Sequence, residues 1–292
     1  MLHRAEAVKA IETLWARFLD ERTLPGNLRD AIRYSLLNGG KRLRPILVLH
    51  CCEAVGVPPE RLVEHTWASA GAIEMIHAFS LVHDDLPAMD DDDLRRGRPT
   101  LHRHTSEAMA ILGGDALMGL AFELIATRLK PVELAGRIVV ELSCATNDMI
   151  AGQVYDTLPD FDPGMSAMDR LLTIHRHKTG ALIRAACRMG AICGGADDNQ
   201  LEAITSYGQA IGLMFQVVDD LLDVTQSTRQ LGKTAGKDQR QGKLTYPGIL
   251  GLDASRAEVK RLRLEAENAL ECLGTAAEPL RVLCEYMAIR TK

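Results

Sequence analysis

Apolar residues recur at helical spacing from one end of this 292-residue chain to the other, and no convincing period-two alternation with β-branched enrichment interrupts them. Val8, Ile11, Leu14, Trp15 and Phe18 trace one face of an amphipathic helix over 1–22, which Leu24-Pro25-Gly26 stops. A second helix ends at Gly39-Gly40. Pro45 is placed to open a third, ending near Gly56 and Pro58-Pro59. A long helix rich in Ala, Leu, Ile and Met follows over 60–85. Further helices are expected over 105–128, 132–150, 166–190, 198–225, 247–251, 255–273 and 277–290, punctuated by Pro131, Pro163-Gly164, Gly194-Gly195 and Gly274. About ten helices with short joins are a reasonable number for such a chain. With no low-complexity segment or Ser/Pro-rich linker, they predict an all-α bundle folded as one domain over 1–292.

Such a bundle must accommodate concentrated acid. Asp84-Asp85 is followed by Asp90, Asp91, Asp92 and Asp93, then by Arg95, Arg96 and Arg98. Asp219-Asp220 is followed by Asp223, with Lys233, Lys237 and Lys243 downstream. Carboxylates this dense repel one another unless a cation sits between them. Hard oxygen ligands suit Mg²⁺, which keeps several waters and binds through one or two carboxylates plus substrate phosphates. The adjoining basic residues suit a phosphate or diphosphate as the bridging group.

Leu81-Val82-His83-Asp84-Asp85 and Gln216-Val217-Val218-Asp219-Asp220 form a weak internal echo, each placing an acidic pair at the end of an apolar stretch. Asp219 and Asp223 share one helical face. Asp84 and Asp90 would point about 120° apart on a continuous helix. Pro87 resolves this, because a helix broken near Leu86 lets Asp90 loop back. A single cluster of this kind could equally be a solvated helix end; two argue against it.

His77, two turns before Asp84 and roughly 10 Å from it along a helix, could donate to a second phosphate group, although a lone His on an apolar helix is more often a core residue. Lys41 and Arg44, in the Gly39-Gly40 joint, could clamp an anion. Lys178 and Thr179 offer a cation and a hydroxyl. Gln153 and Asp156, on one helical face, could support metal-bound water or a lysine, and Gln216 lies on the turn before the second cluster.

The remaining composition is ordinary. A net charge of −5 and a pI near 6.0 give no general reason to expect nucleic-acid binding. No uninterrupted apolar run approaches the roughly 20 residues that span a bilayer. The N-terminus lacks a signal-peptide core. Seven cysteines with no CxxC pair read as reduced, buried thiols of a cytosolic protein.

Together these motifs resemble the trans-prenyltransferases, the short-chain isoprenyl diphosphate synthases, especially bacterial farnesyl and plant-type geranylgeranyl diphosphate synthases. The likeness runs from Gly39 to about Gly248, through Gly39-Gly40-Lys41-Arg42-Leu43-Arg44-Pro45, His77 to Gly97, Gly152-Gln153 with Asp156, Lys178-Thr179-Gly180, Phe215 to Asp223, and Gly232-Lys233 with Lys237-Asp238.

The resemblance implies an isoprenoid-synthase helical fold with a deep central cavity, usually a homodimer, and Mg²⁺-dependent elongation of an allylic diphosphate by isopentenyl diphosphate. Asp84 and Asp90 would hold two Mg²⁺ ions and Asp219 a third, with Asp85, Asp220 and Asp223 binding directly or supporting them. Arg95, Lys178, Thr179, Gln216, Lys233 and Lys243 would contact the allylic diphosphate, and Lys41, Arg44, His77 and Arg96 that of isopentenyl diphosphate. Phe79 and Ser80, just before the first motif, would floor the product cavity. An aromatic there with the two-residue insertion is similar to bacterial farnesyl synthases, so the expected product is farnesyl diphosphate, with geranylgeranyl or geranyl diphosphate as alternatives. A class I terpene cyclase would not need the second basic set. An HD-type phosphohydrolase, suggested by His83-Asp84, would leave the second cluster unexplained. A catalytically silent relative is disfavoured by the complete acidic and basic set.

Overall fold

The computed structural model describes residues 4–37, 39–225 and 244–290. Among these, the helices are α1 (Arg4–Asp20), α2 (Gly26–Leu36), α3 (Leu43–Ala54), α4 (Glu64–Asp84), a short and unexpected α5 (Leu101–His104), α6 (Glu107–Arg128), α7 (Val132–Thr157), α8 (Ala167–His175), α9 (Ala181–Cys193), α10 (Asp198–Thr225), α11 (Tyr246–Leu250), α12 (Leu252–Ala269) and α13 (Glu278–Ile289). Local chemistry sets several starts. The Ser106 hydroxyl accepts from the Met109 amide at 3.1 Å to cap α6. Ser166 accepts from the Asp169 amide and donates to its carboxylate at 2.7 Å, the reciprocal cap that opens α8.

The helix α4 is the axis of the packing. Ala68, Ala70, Ala72, Ile73, Met75 and Ile76 are completely buried around its circumference, as expected of a helix that is apolar all round. Each such large side chain contributes about 1.5–3 kcal/mol of burial. The most extensive helix contact is α4 with α6; α3 and α9 cover another side, and α10 packs between α9 and α12. Trp15 on α1 is locked onto α4 by its indole N–H, which donates to the Gly71 carbonyl at 3.3 Å.

Several expectations need correction. Residues 166–190 are not one α-helix: Arg176–Gly180 forms a π-turn between α8 and α9. A two-strand antiparallel hairpin, Leu94–Arg95 with Arg98–Pro99, exists where no strand was expected. Its turn residues Arg96 and Gly97 both have positive φ (56° and 76°), the geometry that matches strand twist. The helix α6, with a mean hydropathy of 1.7 over its most apolar 18 residues, is long and apolar enough to cross a membrane by length and composition, although Asp115 and Glu123 interrupt its apolar run as expected and Ala110, Leu117, Ala121, Leu124 and Ile125 on it are fully buried. Not all thiols are buried, since Cys144 and Cys272 are exposed.

Candidate active site

The two acidic motifs sit at the C-terminal ends of α4 and α10. As Pro87 implied, α4 stops at Asp84 and the chain curls back, with the Asp90 amide donating to the Asp84 carbonyl at 2.8 Å and the Asp91 amide to the Leu86 carbonyl at 3.1 Å. The loop excess therefore returns Asp90 to the start of its own motif. Burial pushes the Asp84 carboxyl up to about 6, with Lys178 opposing and Asp90 and Asp85 reinforcing the shift. Asp85, 4% exposed, accepts from Arg95 Nε at 2.9 Å.

On α10, Asp220 is buried and accepts the Tyr246 amide at 2.9 Å, while His175 Nε2 lies 3.2 Å from the same carboxylate. Asp219 pairs with Arg290 at 2.6 Å. Asp223 is buried, and its Oδ1 has no hydrogen-bond partner among the described residues.

The π-turn carries Lys178 and Thr179 into this region. Gly152 on α7 permits it, since a Cβ there would lie 2.1 Å from the Lys178 amide nitrogen. One turn further along α7, Asp156 accepts from Lys178 Nζ at 2.6 Å, the lysine support anticipated for it. The Thr179 hydroxyl donates to Gln216 Oε1 at 2.5 Å, joining the turn to α10. Such π-turns inside helical runs are frequent at functional sites.

A second basic group lies across α4. Arg42, Arg44 and Arg96 surround Glu74, whose Oε1 accepts from Arg42 at 3.1 Å. Arg96 also donates to the Gly39 carbonyl. His77, one helical turn after Glu74, faces this group; burial and then Arg44, Arg96, Arg95 and Arg42 push its imidazole well below the usual range, so it is neutral near pH 7. Glu74 and Arg42 were not anticipated as site residues. The signal was present, since a glutamate three residues before His77 shares its helical face.

His77, Arg44, Asp84, Lys178 and Thr179 converge at a cavity of about 680 Å³ that runs on between α4, α6 and α7 past Phe79, Ser80, Met118, Met149 and Leu182. Its size suits a small-molecule pocket. Lys41 lies instead beside Phe215 and Arg290 in a neighbouring recess. Lys233 and Lys243 lie outside the described residues.

The donors here fit Mg²⁺. Asp84, Asp90, Asp219 and Asp223 supply hard oxygens, Asp223 holds a buried orphan oxygen, and Asp84 is buried beside like charges. Among the described residues no three His, Cys, Asp or Glu side chains are grouped closely enough to hold a metal ion by themselves.

Comparison with known proteins places this geometry. Geranylgeranyl pyrophosphate synthase 11, chloroplastic, of Arabidopsis thaliana is 46% identical over 297 residues, covering 99% of this chain and 81% of that protein. The solved FPP/GFPP synthase of Zymomonas mobilis superposes with a TM-score of 0.84 at 32% identity, covering 98% of this chain and 97% of the other. The geranylgeranyl pyrophosphate synthetase of Pyrococcus horikoshii gives 0.85 at 32%, covering 98% and 96%. The cytosolic location read from the cysteines and N-terminus is overturned here, since this Arabidopsis relative and several others are named as chloroplastic. The polyprenyl synthetase family matches residues 25–279, and with both acidic motifs, the basic sets and the cavity in this arrangement, the chain belongs to that family.

Proposed function

We propose that the protein, as one catalytic domain, condenses isopentenyl diphosphate with allylic diphosphates head to tail and releases geranylgeranyl diphosphate. The observation that carries this reading is the continuous cavity that begins at Asp84 and Lys178 and runs on as an apolar channel beneath them. The named function of the 46% identical Arabidopsis relative supports a twenty-carbon product over the fifteen-carbon one first expected. Phe79, a ring on the cavity wall, favours farnesyl diphosphate as the second reading.

Asp84, Asp90 and Asp219 would hold Mg²⁺, three ions in all, with Asp223 in support; the metal supplies charge neutralisation for the departing diphosphate. Lys178, aimed by Asp156 and seated on Gly152, places a fixed cation beside that leaving group. The Thr179 hydroxyl donates to Gln216 Oε1, which leaves the Gln216 amide N–H₂ as this pair's donor for a diphosphate oxygen. Arg95, fixed by Asp85, cannot swing away from it.

On the other side, Arg44 and Arg96 bind the diphosphate of isopentenyl diphosphate. Neutral His77 donates an N–H there without adding charge beside the allylic carbocation. The two grips hold the double bond in attacking range. The proton lost from the new unit can pass to the departed diphosphate, so no side-chain base is required. Ile111, Leu112 and Val140, exposed apolar residues on α6 and α7, support assembly as a homodimer.

The test is incubation of purified protein and Mg²⁺ with isopentenyl diphosphate and five-, ten- or fifteen-carbon allylic partners. Geranylgeranyl diphosphate is the expected end product. Accumulation of farnesyl diphosphate with a fifteen-carbon starter left unused establishes the second reading. Cyclic hydrocarbon, or diphosphate release without C–C bond formation, overturns both.

A further inference from the structure

His83 stands between the first acidic motif and the cavity, and nothing in the reaction just described uses it. It occupies the last turn of α4 and lies against α6, where its Nε2 is 3.1 Å from the Ile111 carbonyl. On its other side its ring meets that of Phe79 edge-on, at 5.0 Å between centroids and 78° between planes. Both rings line the elongation cavity. The close approach to α6 depends on one residue. A Cβ at Gly114 would lie 2.2 Å from His83 Nε2 and 2.5 Å from Cδ2, well inside contact distance. The obstructing atoms belong to the tip of a side chain, so the imidazole must turn while the helix backbones stay in place. With α6 closed to it, the ring faces Phe79 and the lumen on its other side.

We propose that Gly114 and His83 together set product length: the glycine is a socket that lets the imidazole sit back against α6 at the cavity wall, and the imidazole in turn fixes the Phe79 ring against the α4 wall. The ligand they gauge is the growing prenyl chain. Phe79 is then one surface of a three-residue stack anchored on α6, and the bulk at residue 79 does not by itself determine the product. This rests on the proposed elongation activity and adds two specificity-determining residues to it.

The test is the product distribution of Gly114→Ala, His83→Ala and the double variant, each with isopentenyl diphosphate, Mg²⁺ and a ten-carbon starter. Gly114→Ala is expected to lower the proportion of the longest product by at least about tenfold, the low end of what one methylene decides in an apolar pocket. His83→Ala is expected to shift products longer. The double variant should behave as His83→Ala does, because a methyl group at residue 114 has no ring to displace. That non-additivity is the signature of direct contact, which a general packing defect would not produce. Unchanged chain lengths in Gly114→Ala, or independent, additive shifts in the double variant, overturn the proposal. If Gly114→Ala does not fold, His83→Ala decides alone: a longer product supports the stack and an unchanged one overturns it. Wild-type protein that makes no elongated diphosphate defeats the elongation reading itself, whereas elongation indifferent to both residues defeats only this inference.

Discussion

Glu74→Leu tests whether the basic group across α4 depends on its buried counter-charge. Glu74 and Arg42 are each 3% exposed in their side chains, with Oε1 and Nη1 3.1 Å apart. At an effective dielectric constant of 20 that separation is worth about 5 kcal/mol of gross attraction. Removing one partner of such a buried pair costs about 3–5 kcal/mol, because the other charge is left without compensation. Arg44 and Arg96 also face Glu74, and the acid remaining near Arg42 would be Glu12 at 3.9 Å. At about 2–4 °C per kcal/mol for a large domain, Tm should fall by about 6–20 °C.

Thermal unfolding by circular dichroism measures this, with a guanidinium titration to confirm that the m-value is unchanged. The informative control adds Arg42→Met to Glu74→Leu. Replacing both members of a buried pair with apolar residues is often close to neutral. Here the double variant loses the Arg42 bond to the Leu36 carbonyl and the stacking on Trp15, so it should recover much of the single variant's loss without reaching wild type. A Glu74→Leu protein melting within about 2 °C of wild type would refute the reasoning, given the scale above. So would a double variant less stable than the sum of its single changes.

Asp84→Ala and Asp219→Ala should each lower turnover by about a thousandfold or more while leaving the far-ultraviolet spectrum intact; near-wild-type rates in either would sink the metal assignment. Phe79→Ala should lengthen the product, and an unchanged distribution would remove Phe79 as a wall of the prenyl channel. The His77 imidazole is held well below its ordinary value, so between that depressed pKa and about 6.5 the unfolded chain binds more protons than the folded one. Stability contributed by His77 is thus present above about pH 6.5 and lost as pH falls below it. His77→Gln should flatten that acid limb, and superimposable stability–pH curves would contradict the shift.

The helical frame and the broken end of α4 were legible because both are local. Apolar spacing shows in any window of the chain, and Pro87 cannot continue a helix. What escaped was set by contacts between distant segments. α7 was expected to stop at 150, ahead of Gly152, but runs on to Thr157, since that glycine admits the Lys178 backbone and does not break the helix. The π-turn at Arg176–Gly180 has no periodic signature and answers to the same contact. The hairpin around Arg96 and Gly97 forms on a run of charges with no alternation, held where Arg95 reaches Asp85. Product length was judged from Phe79 on α4, whereas α6 and α7 supply the facing walls of the cavity.

The echo between the two acidic motifs extends to the division of labour within them. Asp85 and Asp220 hold the same place in each motif, and both are buried and committed to the protein: one to Arg95, the other to the Tyr246 amide and His175. A carboxylate oxygen that already accepts a charged or backbone donor in a buried setting gives it up only at the cost of leaving that donor unsatisfied. Asp84 opens on the cavity, and Asp219 is a third exposed. The first aspartate of each motif is therefore the more open of the two, although Asp219 must share its carboxylate with Arg290, while the second anchors the segment that carries it. Asp85 anchors the hairpin through Arg95, and Asp220 anchors α8 and the start of α11. On the proposed reading, two adjacent aspartates are needed at each helix end because a single carboxylate cannot fasten the scaffold and hold the ligand at once.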